Sequence, residues 1–274
     1  MRLRWFLVIG LVASAILVTS VLRDRSPIRS EYCTATVGKA TAQVDLEQAQ
    51  WSSLMAAIGI RRGLSPRATT IAIATAFQES KVHNIDYGDR DSLGLFQQRP
   101  SQGWGTPKQI LDPVYSIGKF YDGLGSIKGY ESMEITEAAQ KVQRSAHPGA
   151  YAQHEDDARA LASSLTGYSP AAFTCQVNAA ESGNAGKVDE RVQGAFGKIA
   201  VSGSKDVLSY PMNGPSANKK ARGWALAHFL VANAADLRIT GISFAGRTWT
   251  AEKSPEGWVK DSSASADSVR VTSN

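Results

Sequence analysis

Ser65–Trp104 reads SPRATTIAIATAFQESKVHNIDYGDRDSLGLFQQRPSQGW, and the reading of this stretch decides the fold. Ser65 suits an N-cap, and Pro66 suits the first helical turn, where a backbone N–H has no partner to lose. Ala68, Ala72, Thr75, Ala76 and Glu79 then fall on one face at helical spacing, and Ile71 and Ile73 widen the apolar surface. Glu79 therefore ends a stripe of small, buried-type residues. A carboxylate there is partly desolvated, which penalises its charged form and raises its pKa. A general acid working near neutral pH needs that shift. The plain alternative is a helix-end glutamate that points to water.

Working outward, Glu79-Ser80 is followed by Asp91-Ser92-Leu93-Gly94-Leu95-Phe96-Gln97-Gln98-Arg99-Pro100. The loop between them, Lys81–Ser92, carries Asn84, Asp86, Asp89, Arg90 and Asp91. Its carboxylates admit three readings: turn and cap chemistry, a second catalytic acid opposite Glu79, or calcium ligation. No register fits an EF-hand, and turn chemistry accounts for the loop with least. Ser101–Gly105 is a flexible turn that carries Trp104, whose indole suits either a sugar-stacking surface or core packing.

The pair of motifs, Glu-Ser at a helix end and then Gly-Leu-Phe-Gln, resembles the lysozyme-like superfamily, in particular the soluble lytic transglycosylase type. The region from about Asp45 to Cys175 also resembles a lysozyme-like module of actinobacterial secreted proteins. The resemblance implies that Glu79 is the catalytic acid/base, that Gln97 and Gln98 line the cleft, and that the substrate is peptidoglycan or a related glycan; Ser80, Asp91 and Trp104 are the further candidates for substrate binding. It implies chemistry that needs one carboxylate, no metal and no cofactor. The Tyr-Asn-x-Gly segment of that family is not found; Ala139–Ser145 (AQKVQRS) stands in its place.

The chain has 274 residues, 43% of them hydrophobic, enough for one or two domains with a real core. Its formal net charge is +5, but four of its 30 basic residues (Arg2, Arg4, Arg23, Arg25) flank the first apolar segment. No basic stripe with interleaved aromatics remains to suggest nucleic acid. Trp5–Leu22 is an unbroken apolar run just long enough to cross a bilayer. No Ala-x-Ala-like cleavage site follows it, which favours a signal-anchor over a cleaved signal peptide. The expectation is a single-pass cell-membrane protein with its globular part extracytoplasmic. Cys33 and Cys175, the only cysteines, bracket the lysozyme-like region and would then form a disulfide.

Asp45 can cap a helix that ends at Gly63, and Asp112-Pro113 can launch another through Val114, Ile117, Phe120, Tyr121 and Leu124. Thr136 starts a third, and a last helix through Tyr151, Ala158, Leu161 and Leu165 ends at Gly167. His147, His154, Asp156 and Asp157 match no zinc spacing. From Gln176 to Ala200 the chain reads as a linker with a short helix near Val188–Phe196. A strand at Val207–Tyr210, a helix over Ala221–Leu237 and a hairpin around Ala245-Gly246 follow. This tail is similar to the end of zinc D-Ala-D-Ala-peptidase-like modules, but His228 alone cannot make a site that normally needs three protein ligands. A non-catalytic module for wall components or an envelope protein partner is expected.

The fold expected from these readings is mainly α. A transmembrane signal-anchor (1–25) and a linker (26–44) precede a lysozyme-like helical domain (45–175). A second linker (176–200), a small α/β domain (201–260) and a disordered tail (261–274) follow.

Overall fold

The computed structural model describes residues 30–144, 149–178 and 183–273. The chain from Glu31 to Asn274 forms one compact unit. It opens with a β-hairpin, β1 (Tyr32–Val37) and β2 (Ala40–Val44), turned at Gly38, whose φ of 61° lies where a side chain is strained. Four helices follow the capping signals in the sequence. α1 (Leu46–Arg61) starts from an Asp45–Gln48 capping box. α2 (Pro66–Ser80) carries Pro66 at its first turn. Short α3 (Pro107–Ile110) has a Thr106–Gln109 box, and Asp112 caps α4 (Pro113–Gly125) through the amides of Val114 and Tyr115.

α5 (Ile135–Gln143) and α6 (Glu155–Leu165) complete a helical layer around α2. Every residue of α2 from Ala68 to Ala76 is buried, because small Ala and Thr side chains let α1, α5 and α6 approach it from several sides. The strand β3 (Phe173–Gln176) returns to pair with β1, giving a three-stranded antiparallel sheet in the order β2-β1-β3. Cys33 and Cys175 face each other in that register and are joined by a disulfide. The bond closes a loop between residues 142 positions apart. In the chain-entropy picture this is worth roughly 3–5 kcal/mol.

The second half continues the same core. α7 (Ala185–Phe196) leads to β4 (Ser202–Gly203) and β5 (Val207–Pro211). α8 (Ser216–Ala232) and one-turn α9 (Ala234–Leu237) precede β6 (Gly241–Phe244), β7 (Arg247–Thr250), β8 (Val259–Lys260) and β9 (Ser268–Thr272). These strands form an antiparallel sheet in the order β4-β5-β9-β6-β7-β8. α8 lies on this sheet and also packs against α1, α6 and β3, so Trp224, Phe229 and Leu230 join the two halves in one hydrophobic cluster.

Several expectations are corrected here. The described residues combine helices with two antiparallel sheets, which makes the fold mixed α/β rather than mainly α. The first linker holds β1 and β2, which a distant strand, β3, completes. The second holds all of α7, and the regions expected as separate domains share one core. The tail expected to be disordered contains β9, in the middle of the second sheet between β5 and β6. Its Ser-Val-Arg-Val-Thr alternation buries Val269 and Val271 and leaves Arg270 exposed. The expected anchor at Trp5–Leu22 lies outside the described residues. Among the described residues no helix is long and apolar enough to cross a membrane, so the single-pass membrane placement is without support and is withdrawn.

Candidate active site around Glu79

Glu79 stands in the last turn of α2, half-buried, and the chain turns sharply just beyond it. Lys81 and Val82 both adopt left-handed backbone, with φ of 55° and 58°. Their amides close the helix by donating to the carbonyls of Phe77 and Ala76 at 3.1 and 3.0 Å. A β-branched residue is strained in that region. Val82 is held there because its side chain is completely buried. Strain of this kind is characteristic of positions where surrounding structure fixes the chain for a task.

Ser80 ties the helix end to the second motif: its Oγ donates to the Leu95 carbonyl at 2.8 Å. Leu93 and Gln98 exchange two backbone bonds of 3.0 Å, so Gly94-Leu95-Phe96-Gln97 forms the tip of a tight hairpin. At Gly94 (φ 75°) an added Cβ would meet the Ile110 carbonyl at 3.0 Å. The hairpin therefore needs glycine for two independent reasons, conformation and space.

Two residues from elsewhere complete the site. Tyr151 Oη donates to Glu79 Oε1 at 2.8 Å. Gln143, the last residue of α5, donates from Nε2 to the Phe96 carbonyl at 2.7 Å, and its amide lies near enough to the Glu79 carboxyl to favour the anion. Its Oε1 is buried with no hydrogen-bond partner among the described residues. Burial pushes the Glu79 pKa above its ordinary value, while the bonds from Tyr151 and Gln143 pull the other way. The carboxyl therefore holds its proton more readily than an exposed glutamate, with the Tyr151 hydroxyl bonded to it and the Gln143 amide beside it.

The other expected site residues take supporting positions. Gln97 (φ 46°) turns its amide onto the Tyr87 and Gly94 carbonyls at 3.2 and 3.4 Å, bracing the polar loop. Its Oε1 fills the place where a Cβ on Gly88 would sit. Gln98 is almost completely buried and donates to the Ser116 carbonyl at 3.1 Å, fastening the hairpin to α4. Asp91 accepts from Arg99 Nε at 2.7 Å and from the amide and hydroxyl of Ser101 at 2.8 and 3.0 Å. These bonds hold its carboxyl far below the usual range, so it is a clasp across the loop and not a proton donor. Asp86 and Asp89 are exposed. Trp104 is half-buried, packed on the core with its ring edge near Gly123 of α4, and its carbonyl accepts from Tyr115 at 3.2 Å.

Gln143 and Tyr151 are the site residues that sequence reasoning missed. Gln143 offered a signal of the same kind as Glu79: a polar residue closing a helix whose Ile135, Ala138, Ala139 and Val142 are buried. Tyr151 offered none, because it reads as one more core aromatic. His83, also near the helix end, donates from Nε2 to the Asp45 carboxylate at 3.2 Å and so fastens the loop to the start of α1. His147 lies outside the described residues. Among the described residues no cluster of three or more His, Cys, Asp or Glu could hold a metal ion.

No protein-family profile matches this chain, and no curated protein matches it either.

Proposed function

We propose that this protein cleaves the glycan strands of peptidoglycan, with Glu79 as the sole acid/base, in the manner of lytic transglycosylases. The observation that carries this reading is the Glu79–Tyr151–Gln143 constellation: a carboxyl whose pKa burial raises, with the Tyr151 hydroxyl bonded to it and the Gln143 amide beside it to favour its conjugate base. The Glu-Ser and Gly-Leu-Phe-Gln motifs support it, since Ser80 and Gln143 bind the Gly-Leu-Phe segment directly beside the carboxyl.

In this reading Glu79 gives its proton to the glycosidic oxygen as the C–O bond breaks. Tyr151 and Gln143 stabilise the carboxylate left behind. That carboxylate then takes the proton of the sugar's own C6 hydroxyl, whose oxygen closes onto the anomeric carbon to give a 1,6-anhydro end. The proton returns to Glu79, and neither water nor a second carboxylate is consumed. A hydrolase of the paired-carboxylate kind would need a second acid across the bond, and the loop aspartates are either clasped (Asp91) or exposed (Asp86, Asp89).

The test is to incubate the protein and its Glu79→Gln variant with peptidoglycan and weigh the products. Anhydro ends that disappear in the variant are expected. Reducing ends carrying added water would turn the reading to a lysozyme. No products from the wild type, with the polymer still retained, would leave a silent glycan-binding protein and end the catalytic proposal.

A further inference from the structure

We propose that a cavity of about 670 Å³, lined by α1, the start of α4, α7, α8 and α9, is a second binding site, for a short peptide that carries an apolar side chain together with a carboxylate and an ammonium group. Glu79, Tyr151 and Gln143 are not among its lining residues, and its existence does not depend on the glycan chemistry proposed for Glu79. Its size falls in the range of pockets that enclose small ligands.

The floor is apolar: Leu54, Ala195 and Phe229 are buried, and Leu237 closes one end. The walls are fixed before any ligand arrives. Trp51 donates its indole N–H to Glu47 at 2.9 Å, four residues back on α1. Arg191 donates to Asn233 at 2.9 Å and to Asp236 at 2.8 Å. A preorganised wall loses little freedom on binding. A guanidinium has five N–H donors, and these two bonds leave several for a ligand. Helices that merely splay would leave a crease of mobile side chains, not walls that carry a hydrogen-bonded indole and a hydrogen-bonded guanidinium.

The rim selects the ligand class. Lys187 and Glu190 are exposed on α7, line the cavity, and have no ion-pair partner among the described residues. Lys187 stands one helical turn before Arg191, so the two cations share a face. A carboxylate is matched by Lys187 and the spare donors of Arg191, and an ammonium by Glu190. A fatty acid would satisfy the cations and the floor but leave Glu190 unmatched. A peptide with both charges meets all of these groups.

The experiment titrates the full-length protein with the linear tetrapeptide alanyl-glutamyl-lysyl-alanine. The readout is the indole N–H resonance of Trp51, identified by its loss in Trp51→Phe. A saturable shift is expected, at a Kd at least tenfold below that of an uncharged, end-blocked trialanine. Gly194→Phe should abolish it: Gly194 lines the cavity and a Cβ built on it meets nothing within 4 Å, so the backbone admits a side chain there to occupy the space. Should that variant melt early, exposed Lys187→Glu serves instead and should weaken binding at least fivefold. Glu79→Gln should leave the titration unchanged, which separates this site from the catalytic proposal. No shift, a shift that survives both cavity variants, or tighter binding of dodecanoate than of the tetrapeptide would overturn the assignment.

Discussion

Glu79 and His228 are both titratable side chains on buried helices, and burial pushes both towards their uncharged forms. What surrounds them differs. His228 is completely enclosed among Trp224, Trp258 and Phe173, with ring centroids 5.3 to 6.1 Å away. It bonds the Ser164 carbonyl through Nδ1 at 2.7 Å, which makes Nδ1 the protonated nitrogen, and Nε2 has no hydrogen-bond partner among the described residues. Nothing there supports a second proton, and its pKa is pushed down to about 4. Glu79 is only half-buried and has Tyr151 and Gln143 to support its anion. Burial alone makes a structural residue; burial opposed by donors, with access from outside, makes an acid that can give and take a proton.

Exchanging each side chain for an uncharged one should separate the two roles. Glu79→Gln should lower glycan cleavage by about 10²–10⁴, the usual worth of a general acid. The same variant should melt no lower than wild type at neutral pH. The folded-state pKa of Glu79 lies above its unfolded value, so wild-type stability falls as pH rises through that interval. The advantage of Glu79→Gln should therefore appear above about pH 4.5 and vanish below it, as read by thermal melts across pH. An active Gln variant would break the comparison at its first term.

His228→Ala should do the reverse. It removes a ring from the aromatic cluster and strands the Ser164 carbonyl, costing about 2–4 kcal/mol in denaturant unfolding. Cleavage per folded molecule should hold. A smaller effect follows from titration. The folded-state pKa of His228 lies below its unfolded value near 6.5, so the stability tied to it is complete above that pH and is lost as pH falls towards 4. One proton contributes at most about 1.4 kcal/mol per pH unit. The slope between pH 6.5 and 4 should flatten by up to that amount in His228→Leu, and an unchanged slope would show that His228 does not titrate in this interval.

The finest test concerns Tyr151. Removing its hydroxyl in Tyr151→Phe takes away a bond that favours the Glu79 anion. The pKa of Glu79 should rise further, moving the corresponding limb of the pH–rate profile upwards, with a several-fold loss of rate. A profile displaced downwards, or not at all, would show that Tyr151 serves only to pack.

The local half of this fold was legible. Asp45, Pro66 and Asp112 mark helix starts because caps act within one turn, and the structure begins helices at each. The hairpin at Ala245-Gly246 was legible for the same reason. β1 and β2 were not, because what makes them a sheet is β3, more than a hundred residues away. β9 was hidden by its serine-rich surroundings: five residues of alternation are a weak signal until β5 and β6 bracket them.

At the site the same division holds. By itself the sequence determined that Glu79 ends an apolar helix and that a glycine-containing turn follows it, since helical periodicity and backbone conformation are properties of neighbouring residues. Only the tertiary structure decided that Gln143 and Tyr151 converge on that carboxyl, that Gln97, Gln98 and Asp91 brace the walls, and that the two halves share one core. Those outcomes depend on contacts across tens of residues, where the gain comes from burying surfaces that no local pattern names.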